Sequence, residues 1–297
     1  MKVVIALGGN AILQKGDKGT EEEQRNNVYK SCKQIAKLIE KGYEIVITHG
    51  NGPQVGNLLI QQESAKKQVE KMPLDVCDAM TQGQIGYWIQ QSLEEITGKE
   101  TSTIITQVLV DKNDTAFKKP TKPVGPFYEE KIEEGMIFDA GRGYRKVVPS
   151  PEPIRTIEIE SIKKLLKQNV IVIASGGGGI PIIEEKGKYK GVEAVIDKDR
   201  ASQVLGNELK SEILIILTAV SNVYLNFHKP NQKALYNIDL EELKVYLKEG
   251  HFAEGSMKPK IEAAIKFVEK GGKKAIITSL DKVVEALEGE AGTIITK

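Results

Sequence analysis

The sequence predicts an α/β fold, a three-layer α/β/α sandwich in which helices cover both faces of a central, mostly parallel sheet. Short apolar runs typical of buried strands alternate along the chain with segments of helical period. Three of these runs end abruptly in glycine-rich turns, at residues 8–10, 50–52 and 175–177. Parallel strands end at one edge of their sheet, which is where ligands bind in open α/β folds. The three turns are therefore expected to lie together.

The first half of the chain follows a strand–helix–strand order. Thr20 and Glu23 have the spacing of a capping box, which predicts the start of a helix, and Gly42 predicts its end. Pro53 stands where the next helix would begin, a position that tolerates its missing N–H. The predicted elements are a strand at 3–7, a helix that ends before Gly42, a strand at 45–48, helices over 54 to about 67 and about 84–96, and a strand at 103–110.

This order stops between residues 111 and 153. The segment holds six prolines, and a loop of this length inside a compact domain is usually either functional or disordered. Interleaved aromatic residues, among them Phe127, Tyr128 and Tyr144, argue against disorder. We therefore predict an ordered flap, a small subdomain that protrudes near the ligand-binding edge of the sheet.

Strand and helix signals alternate again after the flap. The predicted elements are a helix at 157–168, a strand at 170–174, a hairpin over 180–196 that turns at 186–188, a helix at 199–209, a strand at 213–217, a helix at 257–269, a strand at 275–278, a helix at 283–287 and a strand at 293–296. We expect one domain over 1–297, with an N-terminal lobe (1–168) that carries the flap and a C-terminal lobe (169–297). The cleft between the lobes is the expected ligand site.

Composition excludes several classes of protein. Lysine and arginine number 42 against 41 aspartates and glutamates, so the net charge of +1 provides no general attraction to nucleic acid or to a membrane surface. No apolar run is long enough for a signal peptide or a membrane span, which predicts a cytoplasmic protein. Cys32 and Cys77 form no metal-binding or disulfide pattern.

Common catalytic motifs are missing from the sequence. None of the glycine turns continues as a Walker A motif or reads as GxGxxG, and neither GxSxG nor HExxH occurs. The three histidines are scattered, so no metal ligands are predicted. The glycine turns alone predict only a site for one or more anionic groups.

Three lysines, Lys122, Lys198 and Lys260, are each followed or preceded by residues that restrict their backbone. Each could be an ordinary surface lysine. Alternatively, the three converge on a phosphoryl group, because phosphoryl transfer depends on positioning and on cationic stabilisation. Asp199 could orient a lysine or a metal-bound water, or could be no more than an acidic residue that complements a helix dipole.

Longer stretches of sequence are more specific than any single turn. They read VVIALGGNA, VITHGNGPQVG, PTKPVGPFY, GRGYRKVVPSPEP, IVIASGGGG, GVEAVIDKD and GHFAEGSMKPK, in this order from Val3 to Lys260, followed by EALEGEAGTIIT. In these stretches the chain resembles the carbamate kinases of the amino acid kinase family. PTKPVGPF and GRGYRKVVPSPEP discriminate best, because they lie in the flap and not in the shared kinase core.

The resemblance implies an enzyme that transfers a phosphoryl group reversibly between ATP and carbamate, giving ADP and carbamoyl phosphate, with Mg²⁺ as cofactor. It also implies a cytoplasmic homodimer with a place in arginine metabolism. Lys122 would close over carbamoyl phosphate from the flap. Lys198 and Lys260 would stabilise the transition state, with Asp199 organising them.

The same resemblance assigns the remaining site residues. The transferring phosphoryl group is expected at Gly8, Gly9 and Asn10. The carbamate side is expected at Gly50, Asn51, Gly52, Ser175, Gly176 and Gly177. The nucleotide is expected against the C-terminal lobe, near Thr218, Ala219, Val220 and Lys260.

Two positions depart from the family pattern. Many relatives have an acidic residue in the turn that here reads Thr218-Ala219-Val220-Ser221, so a direct acidic contact from this turn to nucleotide or metal is not expected. Asp78 stands where the pattern has glycine, and we interpret it as local variation remote from the lysines.

Two alternatives stay open. Another amino acid kinase, acting on a carboxylate such as acetylglutamate, would need an arginine clamp, for which Arg142 and Arg145 are the flap candidates. A nucleotide-binding regulator without turnover would have no need for three lysines.

Carbamate is already an anion, so its attack requires no general base, and the absence of a histidine or carboxylate base among the motifs is expected.

Overall fold

The computed structural model describes residues 1–14, 16–132, 134–138 and 143–297, with only the backbone of Asn10, Pro126 and Phe127. The strands are β1 (Lys2–Leu7), β2 (Glu44–His49), β3 (Thr101–Thr103), β4 (Gln107–Val110), β5 (Lys122–Tyr128), β6 (Ile137–Phe138), β7 (Tyr144–Val148), β8 (Pro153–Thr156), β9 (Ile171–Ile173), β10 (Ile180–Glu185), β11 (Lys188–Gly191), β12 (Ile213–Thr218), β13 (Val223–Leu225), β14 (Lys233–Leu235), β15 (Asn237–Asp239), β16 (Lys274–Ser279) and β17 (Thr293–Thr296).

The helices lie between these strands in the predicted alternation. They are α1 (Glu21–Glu40), α2 (Gly52–Ala65), α3 (Leu74–Thr97), α4 (Ile159–Lys167), α5 (Lys198–Glu208), α6 (Leu240–Lys248), α7 (Met257–Glu269) and α8 (Val283–Glu288). The predicted capping box of α1 is present, since Thr20 and Glu23 each accept the other's backbone N–H. Among the described residues, no helix is long and apolar enough to cross a membrane.

The central sheet has eight strands in the order β15-β17-β16-β12-β1-β2-β9-β3. Neighbouring strands are parallel except for β16 and β17, which pair antiparallel. The mostly parallel sheet of the predicted fold class is therefore confirmed. The proposed lobe boundary at residue 168 stays a prediction. Strands from both sides of it belong to this one sheet, and β9 lies between β2 and β3.

Strand β1 shows why helices are needed on both faces of the sheet. Val4 and Ala6 belong to one hydrophobic core, while Val3, Ile5 and Leu7 belong to another. Alternate side chains of a strand point to opposite faces, so a strand that is apolar throughout must be covered twice. Helices α4 to α7 contribute to the first core and helices α1, α3 and α8 to the second, which gives the three layers.

The flap is built from an antiparallel sheet in the order β5-β7-β6. It packs on the body of the molecule through a small apolar cluster in which Val124 and Val148 meet Val55 of α2 and Leu74 and Cys77 of α3. This ordered sheet lies within the segment predicted to form a subdomain. Its position over α2 and α3 brings β5 close to the turn that follows β2.

The predicted strand at 103–110 is wrong as a single element. Residues 101–103 join the central sheet as β3, whereas residues 107–110 form β4 in a second sheet, of order β11-β10-β4-β8. The side chain of Gln82 separates them, because it donates to the carbonyl of Thr106 (3.1 Å) and accepts from the N–H of Thr106 (2.8 Å). Because the backbone of Thr106 is held by this buried side chain, it does not continue the strand pairing of the central sheet.

Two further predictions need correction. The helix expected over about 84–96 begins ten residues earlier, at Leu74, so it places additional side chains beside the turn after β2. Residues 219–256, for which no element is predicted, form the β13–β14 hairpin, β15 and α6. Short strands of three residues carry too little periodic signal to be recognised in sequence.

Candidate active site

The three glycine turns meet at one edge of the central sheet, as their sequence pattern predicts. Strands β1, β2 and β9 are adjacent and parallel, so their carboxyl ends adjoin. Position 8 has no room for a side chain, because a Cβ on Gly8 would lie 2.8 Å from the carbonyl oxygen of Leu217 at the end of β12. The backbone of the first turn therefore lies directly against the neighbouring strand.

Two lysines and one aspartate form an ion triad beside these turns. Asp199 Oδ1 accepts a hydrogen bond from Lys198 Nζ (2.5 Å), and Asp199 Oδ2 accepts one from Lys260 Nζ (2.8 Å). The side chains of Lys198, Asp199 and Lys260 are 13%, 3% and 16% exposed. Charges withdrawn from water in this way attract each other strongly and hold a fixed geometry.

Helices α5 and α7 position the triad. Asp197 caps α5 by accepting the N–H of Asp199 (2.9 Å), so Lys198 and Asp199 occupy the first helical turn. Lys260 lies in the first turn of α7. The two helices pack on the same face of the sheet, which brings side chains distant in sequence to one carboxylate.

The triad carries a net positive charge. Burial by itself would raise the pKa of Asp199, but Lys198 and Lys260 more than offset it and the pKa of this carboxyl is lowered. Burial lowers the pKa of the Lys198 ammonium, and the attraction of Asp199 opposes that change. The formal charges of one aspartate and two lysines sum to one positive charge. An anionic group entering the site would neutralise it.

A cavity of about 480 Å³ runs past the triad. One end is lined by the glycine turns and the flap, through Gly9, Gly50, Asn51, Gly52, Gly177, Lys122, Pro123 and Val124. The other end is lined mainly by apolar and aromatic residues that follow β12, including Val220, Tyr224, Phe227, Phe252, Ala253 and Met257. The wall of this cavity thus combines glycine turns, the charged groups of the triad, and a set of apolar and aromatic side chains.

A second cavity, of about 520 Å³, opens on the other side of the first glycine turn. Gly9, Lys198, Thr218 and Lys260 line both cavities. Gly8 and Ala219, which are predicted site residues, line the second cavity together with Asp281. The two lysines of the triad are thus accessible from both sides.

Lys122 reaches the site from the flap. Its Nζ lies 3.2 Å from Asp197 Oδ2, and the side chains are 36% and 15% exposed. Asp197 therefore both caps α5 and pairs with the flap. Lys122 is part of the same charged cluster as the triad without contacting Asp199.

Some predicted residues lie outside the cavity wall. Ser175 is fully buried and its N–H donates to Thr106 Oγ1 (3.0 Å). The carbonyl of Gly176 accepts from Gln82 (3.0 Å), and a Cβ on Gly176 would meet the ring of His49. These two residues support the third turn from behind, and only Gly177 of that turn lines the cavity. The side chain of Asn10, and Arg142, lie outside the described residues.

Sequence reasoning missed several residues of the site. The aromatic wall lies in residues 219–256, where the short strands left no periodic signal. Asp197 could have been recognised, since an aspartate two residues before another acidic residue at a helix start is typical of an N-cap. Asp78 is not remote from the site, because its carboxylate accepts a hydrogen bond from Asn51. Its interpretation as local variation is therefore incomplete.

The donor groups of the site show how Mg²⁺ could be held. Both oxygens of Asp199 are engaged by lysines, and no group of three or more Asp, Glu, His or Cys side chains that could bind a metal occurs within the described part of the chain. Mg²⁺ at nucleotide sites is commonly held by substrate phosphates with one or two carboxylates and water. The side chains thus suit a metal that enters with the nucleotide.

The sequence of the whole chain places it in a family. A profile of the amino acid kinase family matches residues 1–279, and the chain belongs to this family of phosphotransferases. It is 54% identical to a carbamate kinase of Thermococcus kodakarensis, with 100% of this chain and 99% of that protein covered. It is 53% identical to a carbamate kinase of Pyrococcus horikoshii, with 99% of each covered.

Solved structures agree with this placement. A carbamate kinase from Giardia lamblia bound to AMP-PNP superposes with a TM-score of 0.95 and 46% identity, covering 100% of this chain and 98% of that one. The resemblance to carbamate kinases drawn from the sequence motifs is therefore confirmed over the full length of the chain, and so is the predicted fold class.

Proposed function

We propose that this protein catalyses reversible phosphoryl transfer between ATP and carbamate, giving ADP and carbamoyl phosphate. The observation that carries the proposal is the ion triad, which lines one cavity together with the glycine turns, the flap and a set of apolar and aromatic side chains. The full-length similarity to carbamate kinases, at 54% and 53% identity, identifies the chemistry that such a cavity would serve.

The two ends of the cavity suit the two substrates. Tyr224, Phe227 and Phe252 offer apolar surface to a nucleotide base, and Thr218 and Val220 line the same cavity. Carbamate is small and anionic, and the turn at Gly50, Asn51 and Gly52 offers it a compact polar compartment under the flap. The phosphoryl group would cross between them beside Gly9.

The chemistry requires positioning and charge rather than a proton acceptor. An oxygen of carbamate attacks the γ-phosphorus, a new P–O bond forms, and the bond to the bridging oxygen of ADP breaks. Negative charge spreads over the equatorial oxygens, where Lys198 and Lys260 stabilise it. Asp199 keeps both ammonium groups in place before the substrates arrive. Lys122, from the flap, would neutralise the carbamoyl phosphate side.

Mg²⁺ belongs to this proposal as part of the substrate complexes MgATP and MgADP. Its charge would shield the β- and γ-phosphates during transfer. The lysines and the backbone of the first turn would bind the phosphates, and phosphate oxygens and water would hold the metal.

The reverse reaction is the direct test. Purified protein, MgADP and carbamoyl phosphate should produce ATP, measured by coupling to hexokinase and glucose-6-phosphate dehydrogenase. Acetylglutamate with MgATP is the parallel arm and should give no ADP. Absence of ATP from carbamoyl phosphate would overturn the proposal, while turnover of acetylglutamate would favour the other amino acid kinases. Nucleotide binding without either reaction would favour a regulator.

We further propose that the protein acts as a homodimer in the cytoplasm, within arginine metabolism. Exposed apolar side chains occur on both α2 and α3, among them Ile60, Met80 and Tyr87, and a partner surface would remove them from water. Light scattering behind size exclusion tests the dimer, with a mass twice that of the chain expected. A monomer at micromolar concentration would contradict it.

A further inference from the structure

A carboxylate outside the lysine cluster lies beneath the turn assigned to carbamate. Asp78 of α3 is 4% exposed, and its Oδ1 accepts a hydrogen bond from Nδ2 of Asn51. The same Nδ2 donates to Thr81 Oγ1 (2.7 Å), one helical turn further along α3. Asn51 is itself 4% exposed and lines the cavity between Gly50 and Gly52.

The chemistry of its partners settles the orientation of the Asn51 amide. The hydroxyl of Thr81 donates its proton to the backbone carbonyl of Asp78 (2.7 Å), so toward Asn51 it can only accept. An ionised Asp78 is also an acceptor alone. Both hydrogens of the amide nitrogen are then used, and any ligand contact of this side chain is left to its Oδ1.

The third glycine turn encloses this contact. Gly177 adopts a left-handed backbone with φ of +68°, and a Cβ at this position would collide with Asn51 Nδ2 and Asp78 Oδ1. Asp78 is therefore the point at which α3, the turn after β2 and the turn after β9 meet. Water is excluded from the carboxylate, so a hydrogen bond that it accepts is strengthened and its loss leaves a buried group unsatisfied.

We propose that Asp78 is a positioning residue that holds the Asn51 amide in one orientation and thereby shapes the compartment for the small substrate. The proposal rests on the proposed function only in assigning that compartment to carbamate and carbamoyl phosphate. Asp78 acts through Asn51 and touches neither the triad nor the nucleotide end of the cavity. Its loss should weaken binding of one substrate and spare the other.

Protonation provides a specific signature for this role. Burial raises the pKa of Asp78 to about 7, against the lowering effect of the Asn51 hydrogen bond, and the charge of Asp75 on the same helix adds to the rise. Asn51 from the turn after β2 and Gly177 from the turn after β9 face the carboxyl without charge. Protonation of Asp78 removes its negative charge and weakens the hydrogen bond that holds the Asn51 amide, so the KM for carbamoyl phosphate should rise as the pH falls from 8 to 6.

Steady-state kinetics of three variants test the proposal. Asp78→Ala should raise the KM for carbamoyl phosphate about five- to tenfold and leave the KM for MgADP within about twofold. Asp78→Asn is neutral at every pH, so its KM for carbamoyl phosphate should be close to that of the unsubstituted protein at pH 6 and should not change between pH 6 and pH 8. Ser92→Ala is the matched control, because Ser92 is a buried residue of the same helix whose hydroxyl donates to the carbonyl of Trp88 and has no recognised contact with Asn51 among the described residues.

Two outcomes of these kinetics would contradict the positioning role of Asp78. An unchanged KM for carbamoyl phosphate in Asp78→Ala, or an equal rise in both KM values, would overturn the proposal. If Asp78→Ala does not fold, the pH profile of Asp78→Asn decides alone. A KM for carbamoyl phosphate that still rises in this variant as the pH falls from 8 to 6 would refute the role of Asp78.

A spectroscopic measurement separates this inference from the proposed reaction. In protein labelled with ¹⁵N-asparagine, the side-chain amide signals of Asn51, assigned by their loss in Asn51→Ala, should titrate with a midpoint near pH 7 without any substrate. The titration should be absent in Asp78→Asn. Titration in a protein that makes no ATP would keep the positioning role and reject the reaction. ATP formation without titration of the Asn51 amide signals would support the reaction and reject the positioning role of Asp78.

Discussion

The sheet edge and the flap bring lysines to the same cavity but hold them differently. Lys198 and Lys260 are 13% and 16% exposed, share one carboxylate and extend from helices packed in a large core. Lys122 is 36% exposed and extends from a small sheet that rests on α2 and α3 through a five-residue apolar cluster. Its partner in the site is Asp197, whose Oδ2 lies 3.2 Å from Lys122 Nζ.

This difference separates two tasks within one cavity. The sheet edge holds its charges rigidly, which suits the stabilisation of a transition state because no reorganisation is then needed during the reaction. The flap holds its charge by one partly exposed ion pair, an interaction of small net free energy that a substrate anion can replace. The comparison leads to four predictions, in order of decreasing effect.

Asp199→Asn should have the largest effect. The substitution keeps the shape of the side chain but leaves two buried ammonium groups without their shared carboxylate. We expect kcat to fall by roughly a hundred- to a thousandfold, as for loss of a preorganised stabilising group. The assay is ATP formation from MgADP and carbamoyl phosphate.

Asp239→Asn is the matched control for that variant. Asp239 caps α6 by accepting the N–H of Glu241 and lies outside both cavities. It should keep full activity. If the two variants behave alike, Asp199 serves only the start of its helix and the contrast between sheet edge and flap fails.

His49, at the end of β2 on the rigid sheet edge, should make the free energy of unfolding decrease at acid pH. Burial lowers the pKa of His49 from 6.5 to about 4, while the unfolded chain keeps the ordinary value. As the pH falls from 6.5 to 4 the unfolded state binds a proton that the folded state does not. The free energy of unfolding should therefore decrease by about 3 kcal/mol over this interval, and no further from this group below it.

Urea unfolding at pH 7 and pH 4.5 measures this decrease. His49→Asn provides the comparison, because its amide can donate to the carbonyl of Gly50 as His49 Nδ1 does but does not titrate. The variant should show a smaller loss of stability between the two pH values. An identical loss in both proteins would mean that His49 is readily protonated in the folded state.

Lys122→Ala should affect turnover and spare the nucleotide. We expect kcat with carbamoyl phosphate to fall about ten- to thirtyfold, since one charge-assisted contact to an anion is removed. The dissociation constant of ADP, measured by calorimetry, should stay within about twofold. Lys119→Ala, at an exposed lysine just before the flap strand β5, should change neither quantity. A large loss of ADP affinity in Lys122→Ala would indicate that Lys122 binds the nucleotide and not carbamoyl phosphate.

Asp197→Asn should have the smallest effect. Asparagine caps a helix about as well as aspartate, so α5 is retained while the ion pair to Lys122 is lost. We expect a change of about two- to fivefold in the KM for carbamoyl phosphate. Combined with Lys122→Ala, the effects should be less than additive in a double-mutant cycle. Full additivity would show that the two side chains do not act together.

The sequence predicts the elements that bear strong periodicity, and the structure confirms them. The strand at 3–7, the helix closed by Gly42 and the convergence of three glycine turns all follow from local patterns. The break at Thr106 could not be predicted, because it depends on Gln82, a residue 24 positions away that replaces strand pairing with its own hydrogen bonds. The aromatic wall of the cavity was missed because three-residue strands have no measurable period.

The chain by itself determined the fold class, the family and the identity of the lysines near the site, since these depend on patterns and motifs that are local in sequence. Tertiary structure alone decided how the charged groups are paired. Lys260 is 61 residues from Asp199, and Lys122 is 75 residues from Asp197. Asp78 contacts Asn51 only because α3 passes under the turn after β2. Burial and pairing are properties of the packed molecule, and they set the charge and orientation that a sequence motif leaves open.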